Sequence, residues 1–138
     1  MSRYEVRGVP TAEVLEQWPR LHKWAEKMER RASENWREGE ILKGAVAGEN
    51  QLHAIIRWPE DEVVALIITE IVGNQVSMIG VAGEGRKEWQ DHGLGEIEKW
   101  AKSLGAEKLV LYARPGWKSL LQSRKYRVSH VEFTKLLA

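Results

Sequence analysis

Gln90, His92, Gly93 and Gly95 fall together in the run Gln90-Asp91-His92-Gly93-Leu94-Gly95. Those residue types at that spacing suit an anion. Glycine has no Cβ, so the backbone can come close to a ligand. Free N–H groups at a helix start attract phosphate. His92 could add a ring N–H. A second reading uses the same residues differently. Trp89, Ile97, Trp100, Ala101 and Leu104 repeat at helical spacing and share one face. A helix over 86–104 would hold Gly93 and Gly95 in its interior, where amide groups bond within the helix. The periodicity favours the helix, and on that reading Gly93→Ala stabilises by up to ~1 kcal/mol.

Glu70 follows Thr69 at the end of an apolar run. A carboxylate in a central strand, with its pKa raised by burial, can accept a proton through water. If it faces solvent instead, it is only a charged surface group. Arg114, Lys118, Arg124, Lys125 and Arg127 lie among Trp117 and Tyr126. Basic residues interleaved with aromatics can hold single-stranded nucleic acid. A solvated face with aliphatic stems laid over the rings is the plainer reading.

Composition narrows the chemistry. The 138 residues hold 21 Lys plus Arg against 20 Asp plus Glu, a net charge of +1. That balance argues against nucleic acid or an acidic membrane as partner. With no Cys, disulfides, thiolate metal sites and a thiol nucleophile are excluded. The four His, at 22, 53, 92 and 130, lack metal-ligand spacing, so no metal is expected. No apolar run is long enough to span a bilayer. The N-terminal residues lack the apolar core of a secretion signal, so the expected location is not extracellular. Seven Trp against one Phe is unusual. Trp36 and Trp58, beside charged residues at element ends, are the candidates for a protein contact.

One domain over 1–138 is expected. Tyr4 to Arg7 reads as a short strand. Val14, Trp18, Leu21, Ala25 and Met28 are helical in period, with Pro19 dividing the run into two helices. Strands follow at 51–58, 62–71 and 75–81, joined by turns at Pro59-Glu60-Asp61 and Gly73-Asn74. The Trp89 to Leu104 helix ends at Gly105 and leads to the strand Lys108 to Ala113. A short helix, Trp117 to Arg124, and a last strand, Tyr126 to Leu136, complete the chain. The helix between Val81 and Lys108 is too long for a hairpin and implies a parallel crossover. The fold class is therefore α/β, a mixed sheet with an antiparallel N-terminal meander.

In this element order, and in Gln90 to Gly95 followed by Gly95 to Ala113, the chain resembles the GNAT superfamily, the Gcn5-related N-acetyltransferases. The run fits that family's Q/R-x-x-G-x-G/A pattern. The resemblance implies that Val81, Gln90, His92, Gly93 and Gly95 would hold the acetyl-CoA pyrophosphate. It implies Glu70 as the base acting on the amine. The family's thiolate-protonating Tyr falls on Leu121, which has no proton to give, so Tyr112 is the substitute. Val81 to Gln90 is also longer than the family's usual approach to the loop. Arg114 to Leu121, RPGWKSLL, with Lys125-Tyr126, resembles short GNAT-like proteins encoded by bacteriophages.

Two functions are therefore expected. The first is a GNAT-like protein without acetyltransferase activity and without cofactor. It would act as a phage structural or accessory protein, in a bacterial host's cytoplasm or on a virion. Its partner would be another phage protein or a second copy of itself. The alternative is an acetyl-CoA-dependent N-acetyltransferase in which an amine attacks the thioester directly.

Overall fold

The computed structural model describes residues 3–32, 36–129 and 133–137. Strand β1, Tyr4–Val9, leads through a single 3-10 turn at Thr11–Glu13 into helix α1, Val14–Arg31. Helix α2, Glu40–Val46, precedes three strands: β2, Gln51–Arg57; β3, Glu62–Val72; and β4, Gln75–Gly83. Helix α3, Arg86–Ser103, crosses over to β5, Lys108–Leu111. A 3-10 turn at Pro115–Trp117 opens the short helix α4, Lys118–Ser123.

The strands lie in chain order β1-β2-β3-β4-β5. The first three pairings are antiparallel, and β4 with β5 is parallel. The meander and the crossover expected from the sequence are both present. Tight turns explain the meander; Gly73, at φ +60, supplies the left-handed residue between β3 and β4. Alternation along the strands feeds two cores. Leu52, Ala54, Ile56, Leu66 and Ile68 pack with Val14, Leu21, Trp24 and Met28 of α1 and Ile41 of α2. Ile55, Val64, Ile67 and Met78 pack with Trp89, Leu94 and Ile97 of α3 and Trp117 ahead of α4. The sheet is thus covered on both faces, which its continuous apolar strands require.

Two expectations need correction. Pro19 does not divide two helices; it lies inside the single helix α1. The lost bond is to the carbonyl of Leu15, a residue 66% exposed, where water can serve instead. Burial of Leu21, Trp24, Ala25 and Met28 on one side holds the helix together. Helix α2 had no expectation over it at all. The last strand does not form among the described residues. Positions 126–129 and 133–137 carry no regular structure, and 130–132 lie outside the described residues. Val128, Phe133 and Leu136 are 76%, 93% and 89% exposed. Apolar spacings of three, two and three cannot keep one face of a strand, which repeats every two residues. Among the described residues, no strand pairs with the outer edge of β5.

Candidate functional site

The site grows out of how β4 and β5 part. Their parallel register runs only from Gln75 opposite Lys108 to Met78 opposite Leu111. One further contact, Tyr112 N–H donating to the Met78 carbonyl at 3.4 Å, closes the pairing. Beyond it β4 continues to Gly83 while β5 has ended. The parting coincides with a bulge: Ile68 is opposite Gly80 but Thr69 is opposite Met78, leaving Ile79 unmatched. One wall of the opening is therefore β4 from Ile79 onward, Val81 included. The other begins at the exposed ring of Tyr112.

Helix α3 starts at the end of that β4 wall. Its N-cap Gly85 has φ +65, and a Cβ placed there would meet nothing within 4 Å. The Glu88 N–H donates to the Gly85 carbonyl at 2.9 Å, which leaves the amides of Arg86 and Lys87 as the unbonded start of the helix. Arg86 and Lys87 occupy the first two positions of the helix, at its positive end. The Arg86 guanidinium stands 5.7 Å from the Trp117 ring centroid, and a Cβ on Gly116 would come within 3.0 Å of it. Arg86 thus bridges from α3 to the segment after β5.

Gln90, His92, Gly93 and Gly95 are not at that start. All lie inside α3, so of the two readings of Gln90 to Gly95 the unbroken helix that the periodicity favours is the one present. The glycines have packing reasons instead. A Cβ at Gly93 would sit 3.1 Å from Cε3 of Trp89, and one at Gly95 would sit 3.2 Å from an Arg124 guanidinium nitrogen. Gln90 is buried, and its Nε2 has no partner among the described residues. His92 is half-buried on the helix. The helix begins at Gly85 to Arg86, so its first amides lie there and not at Gln90 to Gly95. The cue in the sequence was Gly83-Glu84-Gly85-Arg86-Lys87, glycines followed at once by two cations.

Glu70 lies opposite Ser77, within the paired part of β3 and β4 and before the strands part. Leu121, the residue standing where a proton donor was expected, packs with the Trp89 cluster. Of the catalytic candidates, only Tyr112 is at the opening. Trp36 packs against the α1 core, and the exposed Trp58 donates its indole N–H to Glu5 at 2.9 Å. In the basic C-terminal segment, Arg124 bonds Asp91 at 2.9 Å and pairs closely with Glu98. Tyr126 donates to Glu98 at 2.6 Å. Burial would raise the Glu98 pKa, but the bonds from Arg124 and Tyr126 outweigh it and hold the carboxyl below its usual range. Burial, with that bond to Glu98, pushes the Tyr126 phenol up. This network ties α4 to α3 and consumes one of the cations of the basic cluster.

The sequence reading also passed over His53. It is 3% exposed on the α3 face of β2, with Nε2 2.8 Å from the Thr69 hydroxyl. Thr69 donates in turn to Gln51 at 3.2 Å. The Trp100 ring meets His53 edge to face, with centroids 4.5 Å apart. Burial lowers the His53 pKa to about 4. A His at an inward position of an otherwise apolar strand was the available signal.

No family model matches the chain, and no curated protein matches it. Solved structures do. A probable acetyltransferase superposes with a TM-score of 0.67 at 10% identity, covering 97% of this chain and 98% of that one. An aminoglycoside acetyltransferase from an uncultured soil metagenomic sample, in complex with sisomicin, gives 0.63 at 12% identity, covering 97% of each chain. Aminoglycoside N-acetyltransferase AAC(6')-Iy, in complex with CoA, gives 0.61 at 10% identity, covering 100% of this chain and 97% of that one. Identities this low speak to architecture alone, and the architecture they share with this chain is the mixed sheet with a parallel β4–β5 pair: the chain has the GNAT fold.

Proposed function

We propose that the protein is a CoA-thioester-dependent N-acyltransferase, with acetyl-CoA as the expected donor. The observation that carries this reading is the opening between β4 and β5 with the start of α3 at its end. The similar fold of a CoA-bound acetyltransferase supports it. The residues present fit the cofactor in one place. Gly85 leaves open space, and Arg86 and Lys87 offer two free amides and two charges to a diphosphate. Gly93 and Gly95 do not fit, since their amides lie inside the helix.

When bound, the thioester supplies an activated acyl carbon that an amine can attack. The chain's own groups do the rest. Lys87 and the first amides of α3 bind and orient the phosphates. Arg86 holds the start of α3 to the 115–117 segment through its position over Trp117. Tyr112, at the mouth, is the phenol that holds a proton for the leaving thiolate. Glu70 lies back from the opening, so a base role for it requires a water between it and the amine.

Isothermal titration with acetyl-CoA tests the reading, followed by thiol release in the presence of mixed amines. A micromolar dissociation constant supports it. No heat at millimolar acetyl-CoA would overturn it. A second reading, a GNAT-fold protein that binds through its surface and performs no transfer, draws on Leu121 at the donor position and on the unbroken α3. A structural or accessory role in a phage belongs with that second reading, and binding of acetyl-CoA without thiol release would favour it.

A further inference from the structure

At the opposite edge of the sheet from the β4–β5 opening, a cleft of about 320 Å³ runs between β1 and α3. Its walls are Val6, Gly8, His53, Glu96, Ile97, Lys99 and Trp100. The cleft exists because Gly8, opposite His53 in the β1–β2 register, has no side chain; a Cβ there would meet nothing within 4 Å. Its volume is at the lower end of what small-molecule sites enclose.

One carboxylate, Glu96, and one ammonium, Lys99, line the cleft. Thr69 spends its single hydroxyl proton on Gln51, so toward His53 it can only accept. His53 therefore carries its proton on Nε2 and presents Nδ1 as a bare lone pair. Nδ1 has no hydrogen-bond partner among the described residues, and His53 lines the cleft. At the rim, Glu96 adds a carboxylate. Its pairing with Lys99, at 3.4 Å and with the Lys side chain 78% exposed, is a solvent-screened contact that a competitor can displace. The Trp100 ring and the Val6 and Ile97 side chains supply apolar surface. With Lys99 drawn off into solvent, the cleft presents an acceptor, a carboxylate and an aromatic ring, a set complementary to a cation that donates hydrogen bonds.

We propose that this cleft binds a small organic ammonium compound with an apolar or aromatic body. The ammonium donates to His53 Nδ1 and is balanced by Glu96, while the body lies against Trp100 and Ile97. The site lies three strands from β4 and does not rest on the acyltransferase reading.

Titration with 2-phenylethylamine, 2-phenylethanol and phenylacetate separates the terms. The ammonium should bind at least about tenfold more tightly than the alcohol, and the carboxylate should not bind. The His53 ring ¹⁵N signals of the wild-type protein should move on adding the ammonium. Gly8→Phe, which fills the cleft from an exposed edge position and leaves the Thr69 relay intact, should abolish both responses. Equal binding of the three probes would overturn the proposal. So would unchanged His53 signals at about 10 mM amine, or a folded Gly8→Phe protein that binds as the wild type does. Acetyl-CoA affinity, measured in the same Gly8→Phe protein, should be unaltered.

Discussion

Gly93 stands one helical turn after Trp89, and the space a Cβ would need at Gly93 lies 3.1 Å from Cε3 of the Trp89 ring. The ring cannot easily yield. Trp89 is 1% exposed, and its indole N–H is held by the Glu84 carbonyl at 2.9 Å. Helix propensity alone says that Gly93→Ala stabilises by up to ~1 kcal/mol. Overpacking a held ring costs ~1 to 3 kcal/mol, so contact wins. Gly93→Ala should therefore lower stability by about 1 kcal/mol in urea denaturation. A gain in the midpoint would show that the ring moves aside.

Where phosphate binds can be decided by two substitutions. Gly95→Ala places a methyl against the movable end of Arg124, inside α3 and away from its start. It should fold and leave acetyl-CoA affinity within about twofold of wild type. Lys87→Glu should weaken acetyl-CoA at least about tenfold by reversing a charge beside the free amides. Thermal shift reads both, since ligand at 100 times its dissociation constant stabilises by ~2.7 kcal/mol. The reverse pattern would return the cradle to Gly93 and Gly95.

His53 makes stability depend on acid. Its folded pKa is about 4, lowered by burial from the ordinary histidine value of 6.5. Between those values the unfolded chain binds a proton that the folded protein refuses. Stability therefore falls as pH drops from about 6.5 toward 4, by ~3 kcal/mol in all. His53→Gln keeps a donor toward Thr69 and has nothing to titrate. Its denaturation midpoint should lose that part of the slope, and an unchanged slope would assign the acid sensitivity elsewhere.

Arg124 fixes α4 onto α3 through Asp91 and Glu98, with 27% of its side chain exposed. Arg124→Met should cost ~1 to 2 kcal/mol, more than an open surface pair and less than a fully buried one. A double-mutant cycle with Glu98→Gln should show most of that loss as coupling. Additive losses would mean that the pair contributes little beyond its two stems.

Local pattern in the sequence was enough for the meander, the crossover and the long helix. β-branched runs between turn residues favour strands, and the 26 residues between Val81 and Lys108 cannot be a hairpin turn. The same periodicity put Trp89 and Ile97 on the buried face of α3. Other features depended on tertiary packing. Pro19 sits mid-helix because α1 is held by its buried face, which no local rule weighs. The strand read into Tyr126 to Leu136 lacked a partner, and strand pairing is never local. At the site, Gln90 to Gly95 matched a pattern in type and spacing. Whether an amide is free depends on where its helix begins, and that was set by Gly85 at the end of β4. Tyr112 reached the opening because β5 ends at Leu111. His53 gained a meaning only when Gly8, 45 positions away in sequence, was paired beside it. Residue types state which chemistry is possible; distances between strands decide which of it can occur.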